Sequence, residues 1–163
     1  MGSKEETSLE TLKKNYAELQ KKHALPSFEE MNQDFGIDKA CDFEGELLIR
    51  EIRRFITDKI SNYMRLIENL INPVNVPIFV FSMVKMLDKD DKEALSEMYK
   101  KLGEVEINLI AVDLVYSEEN EAKFIKDSFK VWQIIKKDLL KIIGKVKSAK
   151  EIKPKNNDKN YFG

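Results

Sequence analysis

The sequence has very little of the chemistry on which disulfide frameworks and most metal sites depend. Its 163 residues include one cysteine, Cys41, and one histidine, His23. A single cysteine excludes an internal disulfide and is typical of a protein kept in a reducing compartment. One cysteine and one histidine also exclude zinc sites of the Cys/His type and di-iron sites with two Glu-x-x-His motifs. We therefore predict a cytoplasmic protein that uses no metal and no other cofactor.

Glycine, proline and long apolar runs are scarce as well. Six glycines and four prolines are too few for the many turns of an all-β protein. The longest apolar stretch, Val74–Leu87, is too short for a membrane span and is interrupted by Pro77 and Lys85. We expect no contact with a membrane and predict that this stretch forms a buried core helix. The alternatives are a segment that binds a partner and the interface of a homo-oligomer.

The sequence is rich in apolar residues that recur at three- and four-residue steps, which indicates helices. Capping signals and prolines divide the chain into six predicted helices. They cover about residues 7–24, 27–36, 42–71, 77–88, 90–116 and 117–149. The predicted fold is all-α: an antiparallel helical bundle of three long helices, with shorter N-terminal and connecting helices. Gly103 and Gly144 lie inside long helices and predict places where two helices cross closely.

The charges are distributed unevenly along a chain whose net charge is −1. Residues 1–46 carry six lysines against eleven acidic residues, whereas residues 136–163 carry nine lysines against three acidic residues. The two ends attract each other if they meet in the fold. Otherwise the lysines of the C-terminal part are available to an anionic partner such as a nucleic acid.

The last residues differ in character from the rest of the chain. We predict one helical-bundle domain over residues 1–149, followed by a basic, flexible tail over residues 150–163 that ends in Tyr-Phe-Gly. Tyr161 and Phe162 are the only aromatic residues of this tail. One hypothesis is that they form a short docking motif for another protein. The other is that the tail folds back and fills a groove on its own bundle.

Arginine is concentrated in one place. Of 28 basic residues only four are arginines, and all lie in the third predicted helix: Arg50, Arg53, Arg54 and Arg65. They fall within an arc of about 120° around the helix axis. The planar guanidinium binds carboxylates and phosphates in a geometry that lysine does not reproduce. This pattern predicts an arginine face that binds an anionic partner.

Two carboxylates favour a competing interpretation of the same arginines. Glu106 and Asp113 fall within the apolar stripe of the fifth predicted helix. A carboxylate buried there is costly unless it is paired. Arg53 and Arg54 of the third predicted helix are the natural partners. We therefore expect a structural network of arginines and carboxylates, and the alternative is an exposed anion site.

The sequence contains no motif that carries catalysis. Glu29-Glu30 and Glu118-Glu119 both lack the third glutamate of the pattern with which all-helical nucleotide pyrophosphatases hold magnesium. There is no glycine-rich phosphate loop and no nucleophile elbow. We predict a non-catalytic protein-interaction module that uses the arginine face and the aromatic-ended tail. The alternative is an RNA- or ribosome-associated protein that binds through its C-terminal lysines, and a magnesium-dependent nucleotide hydrolase comes third.

Three segments form a recognisable combination: LLIREIRRFITDKI at residues 47–60, PIFVFSMVKML at residues 77–87 and YFG at residues 161–163. Together they resemble a group of small, all-helical archaeal proteins for which no activity is established. The resemblance implies a helical fold and a cytoplasmic archaeal source. It assigns no activity, no cofactor and no site residue to this chain.

Overall fold

Helices account for most of the chain. The computed structural model describes the backbone of residues 2–152 and the side chains of residues 8–149. Within this part the protein is all-α, as the sequence predicts, with six α-helices and no strand. The helices are α1 (Gly2–His23), α2 (Phe28–Phe35), α3 (Gly45–Ile71), α4 (Ile78–Val84), α5 (Lys89–Leu114) and α6 (Glu118–Ile152). A short 3-10 helix, Ile37–Ala40, lies between α2 and α3.

Local signals in the sequence place several helix ends. The Ser27 hydroxyl accepts a hydrogen bond from the Glu30 backbone N–H, and the Glu30 carboxylate accepts one from the Ser27 backbone N–H. Gly36 ends α2 in the left-handed conformation with φ +65°, which glycine adopts without strain. Asp88 and Asp91 form a second capping box at the start of α5. The helix start predicted at Ser27 is confirmed, and α5 begins close to its predicted start.

The helices α3, α5 and α6 form the bundle, and successive long helices run antiparallel. Arg53 near the start of α3 contacts Asp113 near the end of α5, while Ser61, two turns later on α3, contacts Glu106, about two turns earlier on α5. The chain then reverses over residues 115–117 into α6. α3 and α6 consequently run parallel to each other, both antiparallel to α5.

Aliphatic side chains fill the space between these helices. Isoleucines and leucines at three- and four-residue spacing form the buried stripe of α3: Leu48, Ile49, Ile52, Ile56, Ile60, Ile67 and Leu70. Trp132 of α6 is buried against the rings of Phe35 and Tyr63. Each large side chain buried in this way contributes roughly 1.5–3 kcal/mol. The core therefore provides the main stabilisation and fixes which side of α3 is left for solvent.

The N-terminal helices pack on the bundle through a buried carboxylate. Asp34 of α2 is buried, and its side chain accepts hydrogen bonds from Lys136 at 2.5 Å and from Gln133 at 2.6 Å, both on α6. Lys59 of α3 donates to the Asp34 backbone carbonyl. These contacts join α2 to α3 and α6 at one point.

The prediction that Val74–Leu87 forms a buried core helix is wrong. Only Val80 is buried within α4, and Leu87 is buried just beyond it, while Ile78 and Phe79 are largely exposed. The reason is geometric. α4 has seven residues and packs mainly against α3, so it has one covered side and its other apolar side chains face outward.

The two glycines inside long helices also differ from the prediction. A Cβ at Gly103 would lie 4.0 Å from the Met64 side chain, which is ordinary contact, and a Cβ at Gly144 would meet nothing within 4 Å. No close helix crossing therefore depends on Gly144.

The first helix differs from its predicted bounds. α1 begins at Gly2, earlier than the predicted start at Thr7.

Replacing Asp34 with alanine is expected to lower the free energy of unfolding by about 2 kcal/mol, because the partly buried Gln133 amide and Lys136 ammonium lose their acceptor. The value is below that of a fully buried ion pair because the Lys136 side chain is 35% exposed. Urea denaturation of both proteins measures the loss. Asp127→Ala, at an exposed position of α6, is the matched control and should change stability by less than about 0.5 kcal/mol. Equal losses in the two variants would contradict the prediction.

Candidate protein-interaction surfaces

The structure divides the four arginines of α3 between two environments. Arg50, Arg54 and Arg65 are exposed, whereas Arg53 is largely covered. The predicted arginine face therefore has three members at the surface. The fourth points into the junction of α3, α5 and α6.

Arg53 connects three helices by ionic contacts. Its Nη2 donates a hydrogen bond to Asp113 Oδ1 at 3.0 Å, and its Nε lies 2.7 Å from Glu121 Oε2 of α6. The contact with Glu121 is an ion pair with poor hydrogen-bond alignment, since neither of its two atoms has an aligned partner among the described residues. The Glu121 side chain is only 1% exposed. Arg53 is thus committed to the internal structure and is not offered to a partner.

Burial dominates the titration of Glu121. Removal from water raises the pKa of this carboxyl group, and the nearby guanidinium groups of Arg53 and Arg50 lower it less than burial raises it. Asp113 raises the pKa further. The charged form of Glu121 is therefore disfavoured by its surroundings even though an arginine touches it.

The two carboxylates predicted to pair with arginines have different surroundings. Asp113 contacts Arg53, as the expected network requires, but its side chain is 67% exposed and not buried in the apolar stripe. Glu106 has a different partner, the Ser61 hydroxyl, which donates to it at 2.5 Å. Arg54 contacts acidic residues of its own helix. The network therefore forms between Arg53, Asp113 and Glu121.

Glu121 belongs to this network although the sequence analysis does not select it. The available signal is its register, since Glu121 lies three residues before Phe124 and four before Ile125. Residues at those spacings share one side of a helix, and both are buried core residues. The register of Glu121 with this core stripe therefore indicates a buried carboxylate. The sequence analysis used the same argument to predict that Glu106 is buried.

Two of the exposed arginines are held in place at the surface. The guanidinium of Arg50 lies over the Tyr116 ring, with 3.9 Å between the guanidinium carbon and the ring centroid. Arg54 forms an ion pair with Glu51 of the preceding turn and lies farther, at 3.7 Å, from Asp58. Stacking and pairing reduce the number of conformations that these long side chains adopt.

An exposed apolar stripe of α5 lies beside these arginines. Ile107, Ile110 and Leu114 are 60–79% exposed. Their spacing places them on one side of the helix. Ile110 lies four residues after Glu106 and three before Asp113, and both of these carboxylates contact α3. The stripe therefore borders the side of α5 that meets α3.

We call Arg50, Arg54, Ile107, Ile110 and Leu114 together the α3–α5 face. A hollow of about 330 Å³ lies on its α3 side, lined by arginines, by the acidic residues Glu51 and Asp58, and by apolar side chains such as Leu47. Guanidinium groups and exposed apolar surface thus occur side by side. This combination suits a partner with both acidic and apolar side chains.

A second exposed apolar surface lies at the other end of α5. Val74, Ile78, Phe79 and Phe81 are 47–86% exposed, and we call them the α4 face. It differs from the α3–α5 face in charge, because no charged residue occurs between residues 74 and 84.

A third feature is a groove of about 300 Å³ between α5 and α6. Its floor includes Val105 and Phe124. Its polar lining has two lysines, two acidic residues and two asparagines: Lys101, Lys123, Glu104, Asp127, Asn108 and Asn120. This mixture gives the groove no clear preference for an anion or a cation.

The remaining predictions concern metal binding, contact with a membrane and the C-terminal segment. Among residues 8–149, no group of three or more His, Cys, Asp or Glu side chains is placed to hold a metal ion. No described helix is long and apolar enough to cross a bilayer. α6 continues to Ile152, so helix extends into the segment predicted as tail. Tyr161 and Phe162 lie outside the described residues.

Comparison of the chain with protein-family models, with curated proteins and with solved structures gave no match.

Glu121→Gln is expected to change the pH dependence of stability. Because burial raises the pKa of Glu121 above its ordinary value of 4.5, the folded protein binds this proton more tightly than the unfolded chain does. The wild-type protein therefore loses stability as the pH rises from 4.5 through the pKa of the folded state, and the variant lacks this contribution.

Unfolding free energies of both proteins, measured at a series of pH values upward from 4.5, test this expectation. The stability of wild type minus that of the variant should decrease as the pH rises. A difference that stays constant, or that increases with pH, would show that the charged form of Glu121 is not disfavoured by the fold.

Proposed function

We propose that this protein is a non-catalytic interaction module of the cytoplasm. Its α3–α5 face binds an amphipathic helix of a partner protein, with acidic side chains next to the apolar ones. The observation that carries the proposal is the exposure of Ile107, Ile110 and Leu114 along a border that also presents Arg50 and Arg54. Helices that bind in grooves use apolar side chains at this spacing as anchors.

The apolar stripe provides part of the binding energy. Contiguous exposed apolar surface on a soluble protein is a mark of an interaction site. Covering three partly exposed aliphatic side chains contributes on the order of 5 kcal/mol. Association costs roughly 4–15 kcal/mol in lost translational and rotational freedom. The stripe alone therefore gives weak binding, and further contacts are needed for a specific complex.

The arginines provide these contacts and set the orientation of the partner. Stacking on Tyr116 covers one flat side of the Arg50 guanidinium, so its N–H edge remains suited to a carboxylate. Arg54 already pairs with Glu51 and contributes less than Arg50, because a partner's carboxylate must compete with that pair.

The segment with Tyr161 and Phe162 is proposed as a second contact with the same partner. This part of the proposal is supported by the sequence, in which two aromatic residues follow a lysine-rich stretch. Aromatic side chains are frequent anchors in protein interfaces.

The RNA- or ribosome-associated alternative has weaker support. Three lysines that follow residue 135, Lys136, Lys141 and Lys145, each pair with a carboxylate of this chain. A phosphate backbone would have to displace those carboxylates. The lysines of α6 are therefore less available to RNA than their number in the sequence indicates.

Selection from a displayed library of helical peptides tests the proposed function. Selected peptides should carry apolar residues at three- and four-residue steps with Asp or Glu beside them. Ile110→Glu should weaken their binding by about tenfold or more, because it places a charge in the apolar stripe. Arg50→Ala should weaken it several-fold and reduce its salt dependence.

Leu140→Glu is the matched control, since Leu140 is similarly exposed but lies on α6. It should leave peptide binding unchanged. Peptides that bind Ile110→Glu and wild type equally, or that are rich in basic residues, would overturn the proposal. Salt-sensitive binding of a single-stranded RNA homopolymer that Ile110→Glu does not affect would support the alternative.

A further inference from the structure

The groove between α5 and α6 has the features of a small-molecule site. We propose that this α5–α6 groove binds a small zwitterion with an apolar side chain, of the class of the apolar α-amino acids. Its volume of about 300 Å³ lies at the lower end of the range for such sites. None of its lining residues belongs to the α3–α5 face. The proposal is therefore independent of the function proposed above.

Ser128 of α6 is the residue that indicates a ligand. It is only 2% exposed and lines the groove, and its hydroxyl makes no hydrogen bond to another described residue. Other hydroxyls on the long helices are paired, as in the hydrogen bonds of Thr57 to the Arg53 carbonyl and of Ser96 to the Lys92 carbonyl. Buried polar groups are nearly always hydrogen-bonded. An unpaired hydroxyl in the wall of a groove therefore indicates a partner inside the groove.

The charged side chains of the groove are available to a ligand as well. Lys101 and Glu104 of α5 and Lys123 and Asp127 of α6 line it, and none of the four forms an ion pair with a described residue. Two positive and two negative charges balance each other. A ligand of one sign would be attracted by one pair and repelled by the other, whereas a zwitterion is attracted by both.

The packing of α5 and α6 arranges these charges along the groove. Lys145 near the end of α6 contacts Asp91 near the start of α5, which fixes the register of the two antiparallel helices. The two carboxylates therefore lie next to the level of the Ser128 hydroxyl, and one lysine lies toward each end. The order along the groove is Lys101, Glu104, Ser128, Asp127 and Lys123. An ammonium group suits the middle of this order, and a carboxylate suits the lysine at either end.

The apolar lining selects among zwitterions. Val105 and Phe124 are buried and form the floor of the groove, and Val112 and Val131 are half-buried beside them. An aliphatic or aromatic side chain of the ligand would cover what these residues still expose to water. The charged groups of the ligand then remain at the polar rim. This division favours an apolar amino acid over a wholly polar zwitterion such as glycine.

Titration of the full chain, followed by nuclear magnetic resonance, tests the proposal with four probes. L-phenylalanine should shift the amide signals of groove residues such as Val105 and Ser128, with a dissociation constant on the order of a millimolar. Phenethylamine lacks the carboxylate and hydrocinnamate lacks the ammonium, so each should bind about tenfold more weakly or worse. Glycine lacks the apolar side chain and should leave the signals unchanged at the same concentration.

Ser128→Ala tests the hydroxyl. The variant should bind L-phenylalanine several-fold more weakly, because a hydrogen bond is lost. Alanine is a good helix former, so the fold should be retained, and circular dichroism checks this. Ser96→Ala is the matched control, since the Ser96 hydroxyl lies outside the groove and is paired within α5. It should bind as wild type does.

A double variant tests the lysines at the two ends. Lys101→Gln combined with Lys123→Gln should weaken L-phenylalanine about tenfold and leave phenethylamine, which has no carboxylate, no weaker than in wild type. The control combines Lys92→Gln with Lys130→Gln. These two lysines are exposed on the same helices but do not line the groove, and their loss should change neither affinity.

Three results would each refute the proposal. Unchanged signals with all four probes would show that the groove holds water alone. Equal affinity for L-phenylalanine and for one of its singly charged analogues would show that the groove does not select a zwitterion. Signal shifts that lie outside the groove, or that Ser128→Ala leaves unaffected, would show that the amino acid binds elsewhere.

Discussion

The fold depends on the burial of one isoleucine-rich stripe on α3. This helix packs against α5 and α6 along its length and also against α2, α4 and the short 3-10 helix. Because all of these elements cover the same stripe or its borders, they fix the rotation of α3 about its own axis. That rotation determines where every other side chain of α3 points. The arginines lie at the edge of the covered region as a consequence of this packing.

Position relative to the covered region decides the role of each arginine. Arg53 lies on the covered side of the edge and meets Glu121 and Asp113, whereas Arg50 and Arg54 lie on the open side. A buried ion pair gains little net stability, since removing both charges from water costs about as much as their attraction returns. We interpret the contact of Arg53 with α5 and α6 as a device that fixes the register of three helices. Stability comes mainly from the apolar stripe.

Local structure is the part of this fold that the sequence predicts well. The capping box at Ser27 and the left-handed Gly36 at the end of α2 follow from short-range patterns that need no knowledge of the rest of the chain. α4 shows the limit of such patterns. An apolar run indicates that burial of its side chains is favourable, but it does not indicate whether a second helix lies close enough to cover them. Only the arrangement of distant segments determines that α4 is covered on one side.

The candidate site was predictable to a similar extent. The concentration of arginine in one helix pointed to α3, but exposure and partners depended on residues about 60 positions away, such as Asp113. The stripe of Ile107, Ile110 and Leu114 has the spacing of a core stripe, and periodicity does not separate a buried face from an exposed one. The sequence analysis missed Glu121 because a charged residue is usually on the surface. Its register with the core residues of α6 was the only sign that it is buried.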